Sequence, residues 1–205
     1  MNVVEFIRGM FGNNPVEWTA VVFGIVSVYL SVREKVWSWP TGIVNVSLYV
    51  YIFFHAKLYA DMGLQVFYIF ISFYGWWNWL YGGENRTELH VTRLPRRMAV
   101  ILPIAGVAAA AALGTLLHRN TDADLPYVDS TLTVASLIAQ YLMTRKVLEN
   151  WAIWVVADVA YVAMYINKEL YPTAFLYTVF LGLASMGWVQ WRRSWQAQQA
   201  AAPAR

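Results

Sequence analysis

The 205 residues contain no cysteine, and charge is scarce: Asp, Glu, Lys and Arg together make up 13% of the chain, against roughly 25% in soluble domains. Without cysteine there is no disulfide framework, no thiolate nucleophile and no Cys-ligated metal or iron–sulfur site. The three histidines, His55, His90 and His118, lack the spacing of metal ligands, so no metal is expected. Also missing are a Gly-rich phosphate loop ending in Lys, a His-Glu-x-x-His helix, a serine nucleophile elbow and a carboxylate pair within an apolar run. Direct ATP drive and hydrolysis are therefore unsupported. The chain does not read as an enzyme, and no cofactor is expected. Nor does a cleavable signal peptide fit the first 15 residues: Glu5, Arg8, Gly9 and Gly12 interrupt them, with no apolar run before a small-residue cleavage site.

What the sequence has in abundance is apolar surface. Hydrophobic types reach 59%, and Trp (11), Tyr (13) and Phe (10) supply 17% aromatic, more than one small soluble core can bury. An all-α integral membrane protein is the class that fits. Seven apolar stretches can be marked, at 16–32, 39–55, 62–81, 97–117, 128–144, 150–167 and 172–191, each near the ~20 residues that cross a bilayer as helix. They are too long and too uniformly apolar for barrel strands. Charges gather between them, and the second and third spans, like the sixth and seventh, form tight hairpins.

The net charge of +3 and pI near 9.1 reflect loop Lys and Arg, not a nucleic-acid partner. The N-terminus and the loops after spans two, four and six hold 4 of these residues: Arg8, Lys57, Arg119 and Lys168. The other side holds 11: Arg33, Lys35, Arg86, Arg93, Arg96, Arg97, Arg145, Lys146, Arg192, Arg193 and Arg205. The positive-inside bias then predicts the N-terminus outside and the C-terminus in the cytoplasm. Residues 1–12 read either as a short helix on the outer interface or as a mobile tail.

Sliding the chain against itself by 112 residues aligns the first three spans with the last three without a gap. Residues 17–79 and 129–191 share 15 identities in 63 positions, among them Tyr29 with Tyr141, Arg33 with Arg145, Trp39 with Trp151, and Tyr49 with Tyr161. Leu58 and Tyr59 match Leu170 and Tyr171, and Gly75-Trp76-x-x-Trp79 matches Gly187-Trp188-x-x-Trp191. First and fifth spans are four crossings apart, so both triplets enter the membrane from the same side. The predicted architecture is 3+1+3, a parallel repeat about an axis along the membrane normal. The fourth span, with Gly106, Gly114 and an Ala-rich run at 108–112, is a spacer that restores orientation. The expected units are a tail or interfacial helix at 1–15, a first repeat at 16–81, a loop and linker helix at 82–117, a second repeat at 118–193, and a disordered cytoplasmic tail at 194–205.

Polar residues at membrane depth fall on stripes. Gln65, Tyr68, Ser72, Trp76 and Trp79 share one face of span three, and Tyr177, Phe180, Ala184, Trp188 and Trp191 the same face of span seven. Span six carries Trp151, Trp154, Asp158, Tyr161 and Tyr165; span two carries Trp39, Asn45 and Tyr49; span five adds Gln140. Such faces suit a chamber for a flat, partly polar, cationic guest, with rings to stack on a heterocycle and amides to orient hydroxyls. Interfacial belts and interhelical hydrogen bonds are the competing explanation for the same residues. Asp158 is the one acidic residue well inside a span, and a carboxylate there is costly enough to suggest function. With no second titratable partner, passive movement down a gradient is the simpler expectation.

At the two Gly-Trp-x-x-Trp motifs and at Asn150-Trp151-x-x-Trp154-x-x-x-Asp158, the chain resembles the PnuC family of bacterial vitamin transporters. Lys168-x-Leu170-Tyr171-Pro172-Thr173-Ala174-x-Leu176-Tyr177 and Trp39-Pro40-x-Gly42 strengthen the likeness, which covers about residues 16–193. The resemblance implies a fold similar to full-length SWEET sugar transporters. It implies facilitated diffusion of nicotinamide riboside across the bacterial inner membrane, trapping by a cytoplasmic kinase in support of NAD biosynthesis, and a homo-oligomer, with a trimer as the candidate size. Family relatives that carry thiamine, riboflavin or deoxynucleosides leave a thiamine-like cationic heterocycle as the alternative solute. A membrane sensor that binds without moving its ligand is the alternative of another class. The expected substrate-binding residues are Trp39, Asn45, Tyr49, Gln65, Tyr68, Ser72, Trp76, Gln140, Trp151, Trp154, Asp158, Tyr177 and Trp188.

Overall fold

The structure, a computed structural model, describes Glu5 and residues 15–57, 59–121 and 125–201; the expected interfacial segment at 1–12 falls, Glu5 apart, outside them. Among the described residues seven long helices follow one another: α1 (Pro15–Val32), α2 (Ser38–His55), α3 (Tyr59–Tyr81), α4 (Arg96–Asn120), α5 (Pro126–Thr144), α6 (Asn150–Asn167) and α7 (Tyr171–Ala201). α1, α4 and α7 each contain a stretch long and apolar enough to cross a membrane. The others, 18–23 residues each, are comparable in length but carry most of the buried amides, hydroxyls and the carboxylate. Large side chains such as Phe70, Ile104, Val107 and Val156 face outward, as a lipid-facing surface requires.

Six of the seven helices begin and end within three residues of the expected spans. The exception is α7. It runs ten residues past Trp191 to Ala201, so 194–201 is helical where a disordered tail is expected. The cause is local: this stretch is built of Ala, Gln and Arg, strong helix formers, with no Gly or Pro before Pro203. Likewise the linker helix ends at Asn120, not 117.

Side-chain contacts fix the direction of each helix. Ser27 near the end of α1 donates to the Ser38 carbonyl at the start of α2 (2.7 Å), and Asn45 farther along α2 reaches back to Ala20 (2.6 Å), so α1 and α2 are antiparallel. Trp39 at the start of α2 meets Gly75 and Trp79 at the end of α3. In the second triplet Trp151 meets Gly187 and Trp191 in the same way. Gly106 of α4 lies against Val134 and Ile138, and Gly114 against Tyr127, so α4 runs opposite to α5. Hence α1 and α5 point the same way, and α4 supplies the odd crossing that makes it so.

Packing repeats at the offset seen in the sequence. Trp39–Trp79 and Trp151–Trp191 are both edge-on pairs with centroids 5.4 Å apart and planes at 88°. The Trp79 indole N–H donates to the Met143 carbonyl (2.9 Å), and the Trp191 N–H to Ser31 (3.0 Å); residues 31 and 143 are themselves one offset apart. Each of these carbonyls also accepts a backbone N–H from the following turn, Met143 from Lys146 (3.0 Å) and Ser31 from Glu34 (3.0 Å), so each indole adds a second bond at a helix end. Between the triplets α1 packs on α7 and α3 on α5. Positive φ recurs at Glu34 (55°) and Lys146 (53°), and at Lys57 (59°) and Glu169 (58°), the equivalent turns of each half. All four Trp residues are nearly fully buried. They form one layer near the end that carries the α1–α2, α3–α4 and α5–α6 loops, called the basic end below.

Candidate functional site: a chamber between the triplets

Above that layer the two triplets line a partly open chamber of about 660 Å³, within the range that holds small solutes. Its walls run from Ser31, Ser38, Met143 and Trp151 near the basic end to Phe53, Leu64, Tyr165 and Thr173 near the opposite end. Eleven of the thirteen expected residues line it: Trp39, Asn45, Tyr49, Gln65, Tyr68, Ser72, Gln140, Trp151, Trp154, Asp158 and Tyr177. Trp76 and Trp188 do not. They are half buried and pack against the tryptophan layer instead, because the face that turns Ser72 and Ala184 to the chamber leaves residues four positions on beside the layer.

Chamber residues beyond those expected are Ser27, Ser31, Ser38, Ser136, Tyr161, Tyr165, Thr173 and Phe180, with apolar neighbours. The stripe of span six already contained Tyr161 and Tyr165. The serines gave no signal, since a serine in a membrane helix as readily bonds its own backbone. At the far end Tyr161, Tyr165 and Tyr177 cluster, with centroids 4.7–6.2 Å apart, and the Tyr177 ring turns its edge to Phe180.

The walls are symmetric in shape but not in polarity. At equivalent positions the first half places Asn45 where the second has Ala157, and Val46 where the second has Asp158. Likewise Gln65 is matched by Tyr177, Ser72 by Ala184, and Val28 by Gln140. An asymmetric guest can therefore satisfy these groups in only one orientation. The Asn45 amide is itself held: its N–H donates to the α1 carbonyl of Ala20, which fixes the ring of hydrogen-bonding groups against the wall. Asn45→Asp would turn that donor into a carboxylate facing a carbonyl, costing about 1–3 kcal/mol. The expected result is a thermal midpoint in detergent lower by about 2–12 °C for a chain of this size; an unchanged midpoint would remove this bond from the fold's support.

Asp158 is 4% exposed. Among the described residues no cation is paired with its carboxylate, and no Lys or Arg lines the chamber. The site thus offers aromatic faces, several amide and hydroxyl groups and one unmatched acid. Such a set suits a flat ring carrying positive charge, through cation–π attraction and a charge-assisted hydrogen bond. Among the described residues no group of three His, Asp or Glu side chains is arranged to hold a metal.

The chain is similar to known transporters along most of its length. The family model described as nicotinamide mononucleotide transporter matches residues 14–193. The nicotinamide riboside transporter PnuC of Escherichia coli (strain K12) is 30% identical over 205 residues, covering 87% of this chain and 85% of that one. PnuC of Neisseria mucosa is 27% identical, covering 90% and 75%, and the riboflavin/roseoflavin transporter RibM of Streptomyces davaonensis is 24% identical, covering 83% and 81%. A crystal structure of the vitamin B3 transporter PnuC superposes with a TM-score of 0.71 at 25% identity, covering 95% of this chain and 91% of that one. Matched by the family model over most of its length and by a relative at 30% identity, the chain belongs to the nicotinamide mononucleotide transporter family, the family of the PnuC proteins.

Proposed function

We propose that this protein carries nicotinamide riboside across the bacterial inner membrane by facilitated diffusion. The observation that carries the reading is the charge of the chamber: one carboxylate, Asp158, and no Lys or Arg among its lining residues. The relatives' names leave three candidate solutes, and this observation separates them. A mononucleotide brings a phosphate that would be stripped of water beside an acid with no cation to meet it, an unfavourable burial. Riboflavin is uncharged and leaves Asp158 unmatched. Nicotinamide riboside offers a pyridinium for the aromatic rings and Asp158, and a carboxamide and ribose hydroxyls for Asn45, Gln65 and Gln140.

The basic end faces the cytoplasm on this reading, by the distribution of Lys and Arg. Trapping by a cytoplasmic kinase would keep the internal riboside low and sustain inward flux; the absence of any nucleotide-binding motif in the chain is in keeping with a passive carrier. The SWEET-like relation of the triplets and assembly into a homo-oligomer remain part of the same proposal. Thiamine, also cationic and aromatic, is the second solute to test; a sensor would bind without flux.

Proteoliposomes containing the protein should take up labelled nicotinamide riboside to equilibrium without a proton gradient or ATP. Unlabelled riboside should compete, while nicotinamide mononucleotide should compete at least about 100-fold more weakly, given the ~3 kcal/mol or more that an unpaired buried charge costs. Competition by the mononucleotide at equal concentration would defeat the assignment. Binding without uptake would favour the sensor, and stronger competition by thiamine would name that solute instead.

A further inference from the structure

Against the tryptophan layer that walls the chamber at the basic end packs a set of contacts that belongs to neither triplet alone. Lys146, in the turn after α5, is buried with its side chain 10% exposed. Its ammonium lies 3.1 Å from the Glu34 carboxylate, in the equivalent turn of the other triplet. It also donates to the Leu89 carbonyl (3.0 Å) and sits 4.9 Å from the centre of the Trp79 ring. Leu89 is in the α3–α4 connection, and the rest of that segment is pinned beside it. The Thr92 N–H donates to the Lys146 carbonyl (3.1 Å), the Leu148 N–H donates to Thr92 (2.9 Å), and Thr92 pairs with Val147 as an isolated parallel bridge. Val91 between them is 2% exposed. Glu149 accepts from the Leu94 N–H (2.7 Å) and from Arg93.

We infer that residues 89–94 are a strap which, with the Glu34–Lys146 pair, latches the chamber shut on the basic side and must release for solute to leave there. The inference rests on the reading of this chain as a carrier. One ammonium ties three bodies together: the first triplet through Glu34, the second through its own backbone, and the linker through Leu89. Lone exposed ion pairs hold little, but this one is shielded, hydrogen-bonded and seated on an indole, which makes its contribution larger. The same layer is also left incomplete. Ser38 Oγ, Asn150 Oδ1 and the Trp39 and Trp151 indole nitrogens are buried without partners among the described residues, and they form two equivalent pairs at the starts of α2 and α6. Unpartnered buried polar groups favour leaving this arrangement. A latch on one side, opposed by unsatisfied groups beneath it, is the balance expected of a closure that opens in every cycle.

The chain's lack of cysteine makes the test clean. Bridge partners in adjacent extended segments lie about 4.8 Å apart, inside the Cα range a disulfide spans. Thr92→Cys with Val147→Cys should therefore cross-link under mild oxidant, as measured by loss of free thiols. The oxidised protein should still bind nicotinamide riboside within about twofold while equilibrium exchange across liposomes falls at least tenfold, since gating and not binding is blocked; reductant should restore it. Full exchange with the cross-link complete, or failure of the pair to cross-link, overturns the latch. Loss of binding in both redox states would instead overturn the solute assignment. A readout independent of solute uses Val91→Cys: its modification by a maleimide should be slow, and about tenfold or more faster when Lys146→Met is added, as protection is lost with local opening. An unchanged rate also overturns the latch.

Discussion

Asp158→Asn is expected to weaken nicotinamide riboside binding by about 10–150-fold, the equivalent of the 1.5–3 kcal/mol that a hydrogen bond involving a charged group contributes. The replacement keeps the shape of the side chain and its place in the chamber wall, so the fold should be retained and the loss should be electrostatic. A charge-neutral control makes this decisive. The reduced, dihydropyridine form of the riboside has the same ribose and carboxamide but no positive charge, and its affinity should change by no more than about threefold. Calorimetry on detergent-solubilised protein with both ligands reads the two numbers side by side. If the charged and neutral forms lose affinity equally, Asp158 holds a hydroxyl or the helix bundle and does not recognise the cation. If neither changes, it is not a ligand group at all.

Much of this architecture was open to inspection in the sequence because the membrane imposes so few solutions. A backbone in lipid must satisfy its own hydrogen bonds, so seven apolar runs became seven helices, most within three residues of the expected ends. The 112-residue offset foretold contacts as well as helices: Trp39–Trp79 and Trp151–Trp191 repeat in distance and angle. The chamber itself was legible where a stripe carried its own period, as with Asp158, Tyr161 and Tyr165. It was not legible at Trp76 and Trp188, since a helical stripe names a face but not the depth at which that face meets a cavity or a neighbouring ring. The strap was hidden for another reason. Leu89, Val91 and Thr92 stand in a polar connection whose local pattern is that of a loop, and the Leu89 carbonyl and both Thr92 backbone groups find their partners in the other triplet's turn. One sign of it was present: Glu34 and Lys146 are equivalent positions of opposite charge, which a twofold-related pair of turns would bring face to face.

The two motif glycines offer the strongest test of how that tryptophan layer is built. A Cβ placed on Gly75 would lie 2.3 Å from Trp39 Cη2, and one on Gly187 would lie 2.5 Å from Trp151 Cδ2. Both distances are far inside van der Waals contact, and each indole is itself buried and held edge-on by a second Trp. Neither ring can retreat without disturbing the other three. Gly75→Val and Gly187→Val should each cost about 1–3 kcal/mol or more from overpacking. In detergent the thermal midpoint should fall by about 2–12 °C for each. Because Trp39 and Trp151 also wall the chamber, riboside affinity should fall with stability, and by similar amounts for the two variants. Gly63 and Gly182 provide the contrast: both are helical, and nothing lies within 4 Å of a Cβ on either. Alanine there should leave binding unchanged and raise stability by up to about 1 kcal/mol, the ordinary gain from replacing glycine in a helix. Tolerance at Gly75 together with collapse at Gly187 would mean that the two halves bear unequal shares of the layer, and that the seal between chamber and strap rests on the second triplet alone.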